Sequence, residues 1–397
     1  MPKSTSLNIL ISGASVAGPA LAYWLAKDGH RVTMVERAPQ LRPGGYAVDI
    51  RGAAVSVIER MGLLDEVRAA DTNTTGLFFV NEAGQQLTQM GEGAMGSGGS
   101  TDLEVMRDDL SRILYAHTKA SVEYLWGDSI ATLTDMGDSV NVTFEHTPPR
   151  TFDLVIGADG LHSHTRELIW GDEAQFAHSL GCYIAIFTTD NYLKLQHRQV
   201  MYTLPGKTAG LYSARGNTQA KALLMFKSAP LQYDRHDIAA QKQLVAQAFA
   251  GQTGWEVPRL LEAMVPATDF YFDAITQIKL PVWHQGRIAL VGDAAYGPSP
   301  ASGQGTSLAL VGAYVLAREL RAASGDYAAA FPAYQQAMAT FVTQNQKIGR
   351  MAAGSLIEDS AGSIWVRNQL MRFPAVMRFM YQQIERMITK AANAIAL

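Results

Sequence analysis

The sequence predicts an α/β protein, in which a doubly wound, Rossmann-like domain is interrupted by a β-sheet domain and closed by C-terminal helices. Three observations predict this fold. Residues 7–36 read as strand, helix and strand, residues 176–280 hold several β-rich runs, and residues 331–397 have the apolar spacing of helices. A βαβ unit of about 30 residues is typical of an open parallel sheet. Alternating β-rich runs are typical of an antiparallel one.

The βαβ unit opens the chain. Leu7 to Ser12 is a short apolar run, which we expect to be a buried parallel strand. Ala17 to Lys27 has helical spacing, and Arg31 to Glu36 is a second β-rich run. The turn between the first strand and the helix is rich in small residues. Such a turn either cradles the phosphates of a nucleotide or is only a tight connection.

That turn reads Gly13-Ala14-Ser15-Val16-Ala17-Gly18. In a dinucleotide site the first glycine permits the tight turn and the third lets the helix pack on the strand. Gly13 and Gly18 fill these two places, and Ser15 stands where the middle glycine would be. Because serine is small, we expect Gly13, Ser15, Ala17 and Gly18 to hold a pyrophosphate at the positive end of the helix.

Glu36 ends the second strand, 18 residues after Gly18. An acidic residue at this place accepts hydrogen bonds from the ribose hydroxyls of an adenosine. Arg37 beside it would suit the additional phosphate of NADP, but Glu36 would repel that phosphate. We therefore expect Glu36 and Arg37 at the adenosine of FAD or NAD.

Two further motifs decide between these cofactors. They are Asp153 to Gly160 with Ser163 and Arg166, and Gly292 to Ala295 with Pro300, Gly303 and Gly305. Both closely resemble fingerprints of the class A FAD-dependent monooxygenases, and with the first glycine turn they stand in that family's order and spacing. The resemblance covers essentially the whole chain. It is nearest to the para-hydroxybenzoate hydroxylase-like enzymes, including the tetracycline-inactivating and polyketide-hydroxylating ones.

The resemblance implies FAD and a role for several residues around it. Asp293 would hydrogen-bond the ribityl chain, and Arg107 would reach the phosphates or the ribityl chain. Pro300 would line the reactive side of the flavin. The helix beginning near Thr306 would direct its N-terminus at the pyrimidine side, where a partial positive charge stabilises reduced flavin. The glycines of this loop, which we also expect at the cofactor, are Gly292, Gly303 and Gly305.

Other residues of these motifs keep two interpretations. Asp159 and Gly160 support FAD and NADPH in the family, or they mainly stiffen the loop near the pyrophosphate. Arg166 serves NADPH or caps the helix that follows. Asp49 and Arg51 lie in a segment that the family places along the flavin ring, where they contact either the flavin or the substrate.

Two residues depart from the family pattern. Tyr296 stands where a histidine is usual, and Ser307 stands where an asparagine is often found. Neither departure contradicts FAD binding, but both blur the assignment to a subgroup. The Trp-x-Trp-x-Ile-Pro signature of the related flavin-dependent halogenases is absent from the sequence, which disfavours a halogenase.

The motifs and the β-rich runs predict the domain limits. Residues 1–175 and 284–330 form the FAD-binding domain, residues 176–283 form a β-sheet substrate-binding domain, and residues 331–397 form a C-terminal helical segment. We expect residues 71–101 to contribute a hairpin to the substrate domain, with a mobile glycine-rich stretch from Gly91 to Gly99.

An apolar stripe runs through the last helix. Its residues, spaced as on one face of a helix, are Phe373, Met377, Met380, Ile384 and Met387. The expected role of this stripe is packing between the two domains. An interfacial membrane helix and a partner-binding helix are the alternatives.

The composition excludes several classes of protein. The chain has 397 residues, of which 48% are hydrophobic, and a net charge of −3, which gives no electrostatic reason to expect nucleic acid. A single cysteine, Cys182, excludes an intrachain disulfide and a multi-cysteine metal site. The nine histidines form no metal-spaced cluster, so no metal is expected. We expect a cytoplasmic protein without a membrane partner.

The resemblance implies a single-component aromatic hydroxylase. NADPH or NADH would reduce FAD, and reduced flavin would meet dioxygen to give a C4a-hydroperoxide that oxygenates an aromatic small molecule. Two alternatives remain: a flavin oxidoreductase without oxygen insertion, and a non-catalytic flavoprotein that sequesters a hydrophobic small molecule. The residues that we expect to line the substrate pocket, besides Arg51, are Tyr202, Tyr212, Arg215, Phe226 and Pro298.

Overall fold

The computed structural model describes residues 6–42, 44–90 and 102–397, and the elements below are those of these residues. The strands are β1 (Asn8–Ser12), β2 (Arg31–Glu36), β3 (Ala47–Ile50), β4 (Gly76–Val80), β5 (Gln86–Met90), β6 (Leu103–Met106), β7 (Val122–Trp126), β8 (Ile130–Asp135), β9 (Val140–Phe144), β10 (Arg150–Phe152), β11 (Leu154–Gly157), β12 (Ala177–Asp190), β13 (Arg198–Leu204), β14 (Lys207–Ala214), β15 (Gln219–Lys227), β16 (Tyr271–Ile278), β17 (His284–Gln285) and β18 (Ile288–Leu290). The helices are α1 (Ala17–Lys27), α2 (Ala53–Arg60), α3 (Leu64–Ala69), α4 (Arg107–Ala116), α5 (His164–Trp170), α6 (Ile238–Ala248), α7 (Val257–Met264), α8 (Asp293–Tyr296), α9 (Gly305–Ala322), α10 (Tyr327–Leu356), α11 (Ala361–Leu370) and α12 (Pro374–Ala392). The predicted glycine-rich stretch from Gly91 to Gly99 lies outside the described residues.

The first large sheet has six strands in the order β17-β18-β11-β1-β2-β7. All neighbours pair in parallel except β17, which forms an antiparallel edge with β18. This is the open parallel sheet that the βαβ unit predicts. Its strands β1, β11 and β18 direct their carboxyl ends at one edge, where ligands bind in such folds.

The strand β1 is buried on both faces of this sheet. Ile9 and Ile11 pack in the core that α1 and α9 cover, whereas Leu10 points to the opposite face. That opposite face is covered by a small antiparallel sheet of β8, β9 and β10, which contributes Val142 and Phe152 to the same cluster. Burial on both faces explains why β1 reads as a continuous apolar run.

The second large sheet has seven strands in the order β16-β12-β15-β14-β13-β4-β5. Its neighbours are antiparallel except β13 and β4, which pair in parallel. The hairpin of β4 and β5 comes from the early part of the chain and extends this sheet beyond β13. The exact domain limits stay a prediction.

The two faces of the seven-stranded sheet have different neighbours. One face, here called the helix face, carries Tyr202 and Phe226 and packs under α6 and α7. The other, here called the site face, carries Met201 and Met225, and Tyr46 packs against it. Residues on one strand alternate between the two faces because successive side chains of a strand point in opposite directions. Helices α6 and α7 were not predicted from the sequence.

The C-terminal segment is helical, as predicted, but its apolar stripe is not packed between domains. In α12 the side chains of Met380, Ile384 and Met387 are exposed, as is Phe373 just before it. The helix is anchored near its end, where the side-chain amide of Asn345 donates to the carbonyl oxygen of Ala391 (3.2 Å). The side chain of Met377 lies outside the described part of the structure. Among the described residues, no helix is long and apolar enough to cross a membrane.

Candidate active site

Two glycines shape the turn after β1. Gly13 has a φ of +104°, and a Cβ on it would lie 2.6 Å from the carbonyl oxygen of Ala158. A Cβ on Gly18 would collide with the carbonyl oxygen of Gly13. Side chains are therefore excluded at both positions, and the N-terminus of α1 comes close to the end of β1. That N-terminus offers a partial positive charge and unpaired N–H groups to a phosphate.

Ser15 and Ala17 complete this turn. Ser15 is half-buried just before α1, and Ala17 is the first residue of that helix. The Ala17 methyl lies 3.1 Å from the point where Gly292 would carry a Cβ. The loop after β1 and the loop after β18 therefore meet at the start of α1, as a common cofactor site requires.

The carboxylate of Glu36 lies beside the same turn. It accepts hydrogen bonds from the N–H groups of Ala14 (3.0 Å) and Ala38 (2.9 Å), and it forms an ion pair with Arg42 (3.2 Å). Arg37 is exposed next to it. This arrangement fixes an acidic group at the end of β2. The contact of Glu36 and Arg37 with a ribose stays a prediction.

Arg107 and Asp293 lie in one region between the two large sheets. Arg107 begins α4 and places its guanidinium over the ring of Tyr46, 5.4 Å from the centroid. Asp293 begins α8, and burial raises the pKa of its carboxyl while the charge of Arg107 lowers it. Tyr271 packs beside Tyr46 with their ring centroids 5.5 Å apart, and burial raises the pKa of both phenols. Neither tyrosine was among the site residues predicted from the sequence.

Within the described residues, the Arg107 guanidinium forms no ion pair and no hydrogen bond, and neither does the Asp293 carboxylate. Both residues are half-buried, and a charged group in a cleft without a protein partner is available to a ligand. A cation suited to phosphate and an acceptor suited to hydroxyls thus face the same region.

The loop between α8 and α9 carries the remaining predicted cofactor residues. Pro298 is buried, and its carbonyl oxygen accepts a hydrogen bond from the Gln277 amide (2.9 Å). Pro300 is exposed two residues later. The 18-residue helix α9 then begins at Gly305, with Thr306 in its first turn. Its N-terminus is a second positive dipole end at this site.

Asp49 and Arg51 form an ion pair next to that loop. Their charged atoms are 3.1 Å apart, and Arg51 also lies 3.5 Å from Asp102. The Asp49 carboxylate is 2.9 Å from the point where Gly303 would carry a Cβ, and burial raises its pKa. The backbone N–H of Arg51 donates to the Ser307 hydroxyl (3.0 Å). Ser307 therefore ties α9 to the end of β3, which gives this departure from the family pattern a structural role.

The carboxylate of Asp159 is hydrogen-bonded within the loop that carries it and to the helix that follows. It accepts hydrogen bonds from the hydroxyls of Ser163 (2.5 Å) and Thr165 (2.9 Å) and from the N–H of Thr165 (2.8 Å). Gly160 follows with a φ of +83°. Arg166 is fully buried and donates to the carbonyl oxygen of Ala294 (3.0 Å). Asp159 stiffens this loop, and Arg166 braces it against α8. A contact of Asp159 and Gly160 with a cofactor stays a prediction.

His162, in the same loop, joins the two large sheets. Its ring nitrogens lie 2.8 Å from a carboxylate oxygen of Glu173 and 2.8 Å from one of Asp273 on β16. Burial lowers the pKa of His162, but the hydrogen bonds and charges of Asp273 and Glu173 outweigh burial and raise that pKa to about 9. A protonated imidazole between two carboxylates therefore bridges the cofactor loop and the substrate sheet.

The structure corrects three of the predicted pocket residues. Tyr202 and Phe226 lie on the helix face, packed against the core under α6 and α7, so they face away from Asp293. Tyr212 lies on the other face, and its hydroxyl accepts a hydrogen bond from the N–H of Ala47 (3.3 Å). Arg215 pairs with Asp108 and Asp109 and is not free to bind a substrate carboxylate.

The residues that do line the site face are aliphatic and sulfur-containing. They are Leu77, Cys182, Ile184, Ile186, Met201, Leu223, Met225 and Ile275, with Phe79 partly buried at the edge. Strand alternation in the sequence separates these residues from their aromatic neighbours. It does not show which face meets the cofactor, because that depends on the unpredicted helices α6 and α7.

Tyr296, the other departure from the family pattern, is buried behind the site. Its hydroxyl accepts a hydrogen bond from Tyr334 (2.9 Å), and its ring packs against Trp283 with centroids 4.5 Å apart. This residue holds α8 against α10 and makes no contact that requires a histidine.

Comparison with known proteins agrees with this geometry. The family model described as an FAD binding domain matches residues 6–344. An uncharacterized protein of Mycobacterium tuberculosis is 50% identical over 340 residues, which are 85% of this chain and 91% of that protein. A flavin-dependent monooxygenase of Legionella longbeachae is 40% identical over 355 residues, 89% of this chain and 90% of that protein.

Among solved structures, the tetracycline destructase Tet(55) is similar over 100% of this chain and 99% of that one. Its TM-score is 0.84 and its sequence identity is 40%. The residues present also fit FAD. The N-terminus of α1 and Arg107 suit its phosphates, the N-terminus of α9 suits the pyrimidine side of its flavin, and the carboxylate of Asp293 suits its hydroxyls. The chain belongs to the FAD-binding domain family and is a single-component, class A FAD-dependent monooxygenase.

Proposed function

We propose that this enzyme hydroxylates an aromatic or polyketide-like small molecule, with NADPH or NADH as the reductant of FAD. The observation that carries the proposal is the site face. Its buried side chains are apolar, and Tyr46 and Tyr271 pack at its edge beside Arg107. An apolar surface next to a polar cofactor site suits a flat, largely apolar ring.

The proposed roles of the cofactor residues follow from their positions. Arg107 and the N-terminus of α1 hold the phosphates, Asp293 holds the ribityl hydroxyls, and Glu36 holds the ribose. The N-terminus of α9 stabilises negative charge on the pyrimidine side of the flavin. Bound by these residues, FAD would supply the activation of dioxygen.

The protein's own contribution to the reaction is a dry, oriented pocket. The aliphatic and methionine side chains of the site face pack around Tyr46 and Tyr271, and this apolar surface would keep water away from a bound ring. Tetracyclines are the first substrates to examine, because a tetracycline destructase is 40% identical and similar over the full chain.

The test is substrate-stimulated consumption of NADPH and NADH by the FAD-loaded protein. Tetracyclines, other polyketides and simple phenols are compared under ¹⁸O₂, and the product is analysed by mass spectrometry. We expect one compound to stimulate consumption and to gain one labelled oxygen atom. Stimulated consumption without labelled product would favour an oxidoreductase that inserts no oxygen. Tight binding without stimulation would favour a sequestering flavoprotein.

A further inference from the structure

Arg215 belongs to the substrate sheet but contacts the cofactor side of the site. It lies in the turn between β14 and β15 and has a φ of +52°, an uncommon conformation for a residue with a side chain. Residues outside the turn hold it in place through Asn217, two residues after Arg215. The side-chain amide of Asn217 lies 2.9 Å from a ring nitrogen of His197, and its carbonyl oxygen accepts a hydrogen bond from Asn191 (2.8 Å). These contacts hold the backbone of the turn that carries Arg215.

The guanidinium of Arg215 binds the first turn of α4. It donates to both carboxylate oxygens of Asp109, at 2.6 and 2.8 Å, and also to Asp108. Both aspartates are largely buried, with side chains 12% and 14% exposed, whereas that of Arg215 is 34% exposed. Asp109 has a second partner in Arg112. For Asp108, Arg215 is the only cation in contact among the described residues.

The same turn of α4 begins with Arg107. The backbone N–H of Arg107 donates to the carbonyl oxygen of Tyr46 (3.1 Å), and Asp108 follows with its N–H 3.3 Å from the Cβ position of Gly45. Asp108 and Asp109 follow Arg107 in the chain, so two carboxylates lie within the same helical turn as the arginine proposed to hold the phosphates. Without compensation, their negative potential would oppose the binding of an anion at this site.

We propose that Arg215 is a positioning residue of the FAD site, which neutralises Asp108 and Asp109 and so preserves the affinity of Arg107 for the cofactor phosphates. This inference rests on the proposed role of Arg107. It makes the β14–β15 turn of the substrate sheet part of the cofactor site. Arg215 acts through charge and does not itself touch the cofactor.

The test is FAD affinity of the apoprotein, measured by quenching of flavin fluorescence at several salt concentrations. The variant Arg215→Gln should bind FAD about tenfold more weakly at low salt, and added salt should narrow the difference because it screens the uncompensated negative potential of the two aspartates. Arg215→Lys, which keeps the charge, should recover most of the affinity. Arg198→Gln is the matched control, because Arg198 lies on the same sheet over the ring of Phe78 and not on α4.

A second set of variants separates charge from folding. Replacing both aspartates in Asp108→Asn/Asp109→Asn/Arg215→Gln should restore FAD affinity to near that of the wild type. The pair Asp108→Asn/Asp109→Asn alone should bind FAD more tightly than the wild type, and this result does not depend on whether Arg215→Gln folds. Unchanged FAD affinity in that pair, or a loss in Arg215→Gln that ignores salt, would overturn the inference. A wild type that binds no FAD would instead refute the cofactor assignment itself.

Discussion

The six-stranded and the seven-stranded sheets contribute to the site by different means. The six-stranded sheet offers backbone: helix N-termini, tight glycine turns and the first residue of α8. The seven-stranded sheet offers one side-chain face of aliphatic and methionine residues, while its aromatic face supports α6 and α7. A site made of backbone demands particular residues at particular places, whereas an apolar face demands only volume and burial.

This difference assigns separate tasks to the two faces of the seven-stranded sheet. The aromatic helix face should govern stability, and the site face should govern substrate affinity. The six-stranded sheet should govern affinity for FAD. Substitutions that affect only one of these three quantities therefore measure how separate the regions are.

The largest expected effect is on the helix face. Phe226 is buried, and its ring lies 5.5 Å from that of Tyr183 and 6.3 Å from that of Phe272, measured between centroids. Phe226→Ala should lower the free energy of unfolding by about 3–5 kcal/mol, because it leaves a cavity in this core. Urea denaturation measures the loss. The FAD affinity of the folded protein should not change. A change in the substrate KM without a loss of stability would show instead that Phe226 lines the substrate pocket.

The next effect concerns the six-stranded sheet. Asp293→Ala removes the carboxylate proposed to bind the ribityl chain and should weaken FAD binding by about a hundredfold, or about 2.7 kcal/mol. The purified variant should lose its yellow colour, and its apoprotein should unfold at nearly the wild-type temperature. Asp153→Ala is the control, because that aspartate lies at the opposite end of β11 and bonds the N–H of Asn8 (2.6 Å). Equal flavin content in wild type and Asp293→Ala would contradict the assignment.

The sequence predicted the six-stranded sheet more completely than its partner. The bounds of α1 and β2 are those expected, because a glycine turn and a capping acidic residue leave little freedom in a βαβ unit. Arg107 and Asp293 were found by resemblance, since each sits at a fixed place relative to a strand or helix end. Backbone sites leave a local signature in the sequence.

The site face of the other sheet left no such signature. The helices α6 and α7 were not predicted, so the aromatic residues of β13 and β15 were assigned to the wrong side. Partners distant in the chain were equally hidden: His162 and Asp273 are 111 residues apart, and Arg215 and Asp109 are 106 apart. Contacts of this kind depend on how the sheets dock, which local patterns do not encode.

A smaller effect is expected where the two sheets meet at His162. Its pKa of about 9 in the folded protein lies above its ordinary value of 6.5. The ion pairs of protonated His162 therefore stabilise the folded protein fully below about pH 6.5, and this stabilisation is lost as the pH rises through 9 and the imidazole loses its proton. We expect a loss of about 1 kcal/mol, since the side chain is partly exposed and solvent weakens its ion pairs.

Thermal unfolding between pH 6 and 10 measures this effect. The wild type should lose stability across that range more steeply than His162→Gln, and the two should converge above pH 9. His164→Gln is the matched control, because His164 is exposed and, within the described part of the chain, pairs with Glu167 alone, at 3.4 Å. Parallel pH profiles for the wild type and His162→Gln would show that the bridge between the sheets contributes nothing.

The smallest effect should come from the site face itself. Met201→Leu keeps nearly the same volume, so stability should fall by less than about 1.5 kcal/mol. The substrate KM should nevertheless change about threefold, because a branched side chain presents a different apolar contour to the ring. Steady-state kinetics measure this KM with the substrate that most increases NADPH or NADH consumption. The FAD affinity should stay constant. Tyr202→Phe, the next residue on the helix face, should leave KM unchanged. If both variants alter KM equally, the two faces are not separate, and the pocket extends around the edge of the sheet.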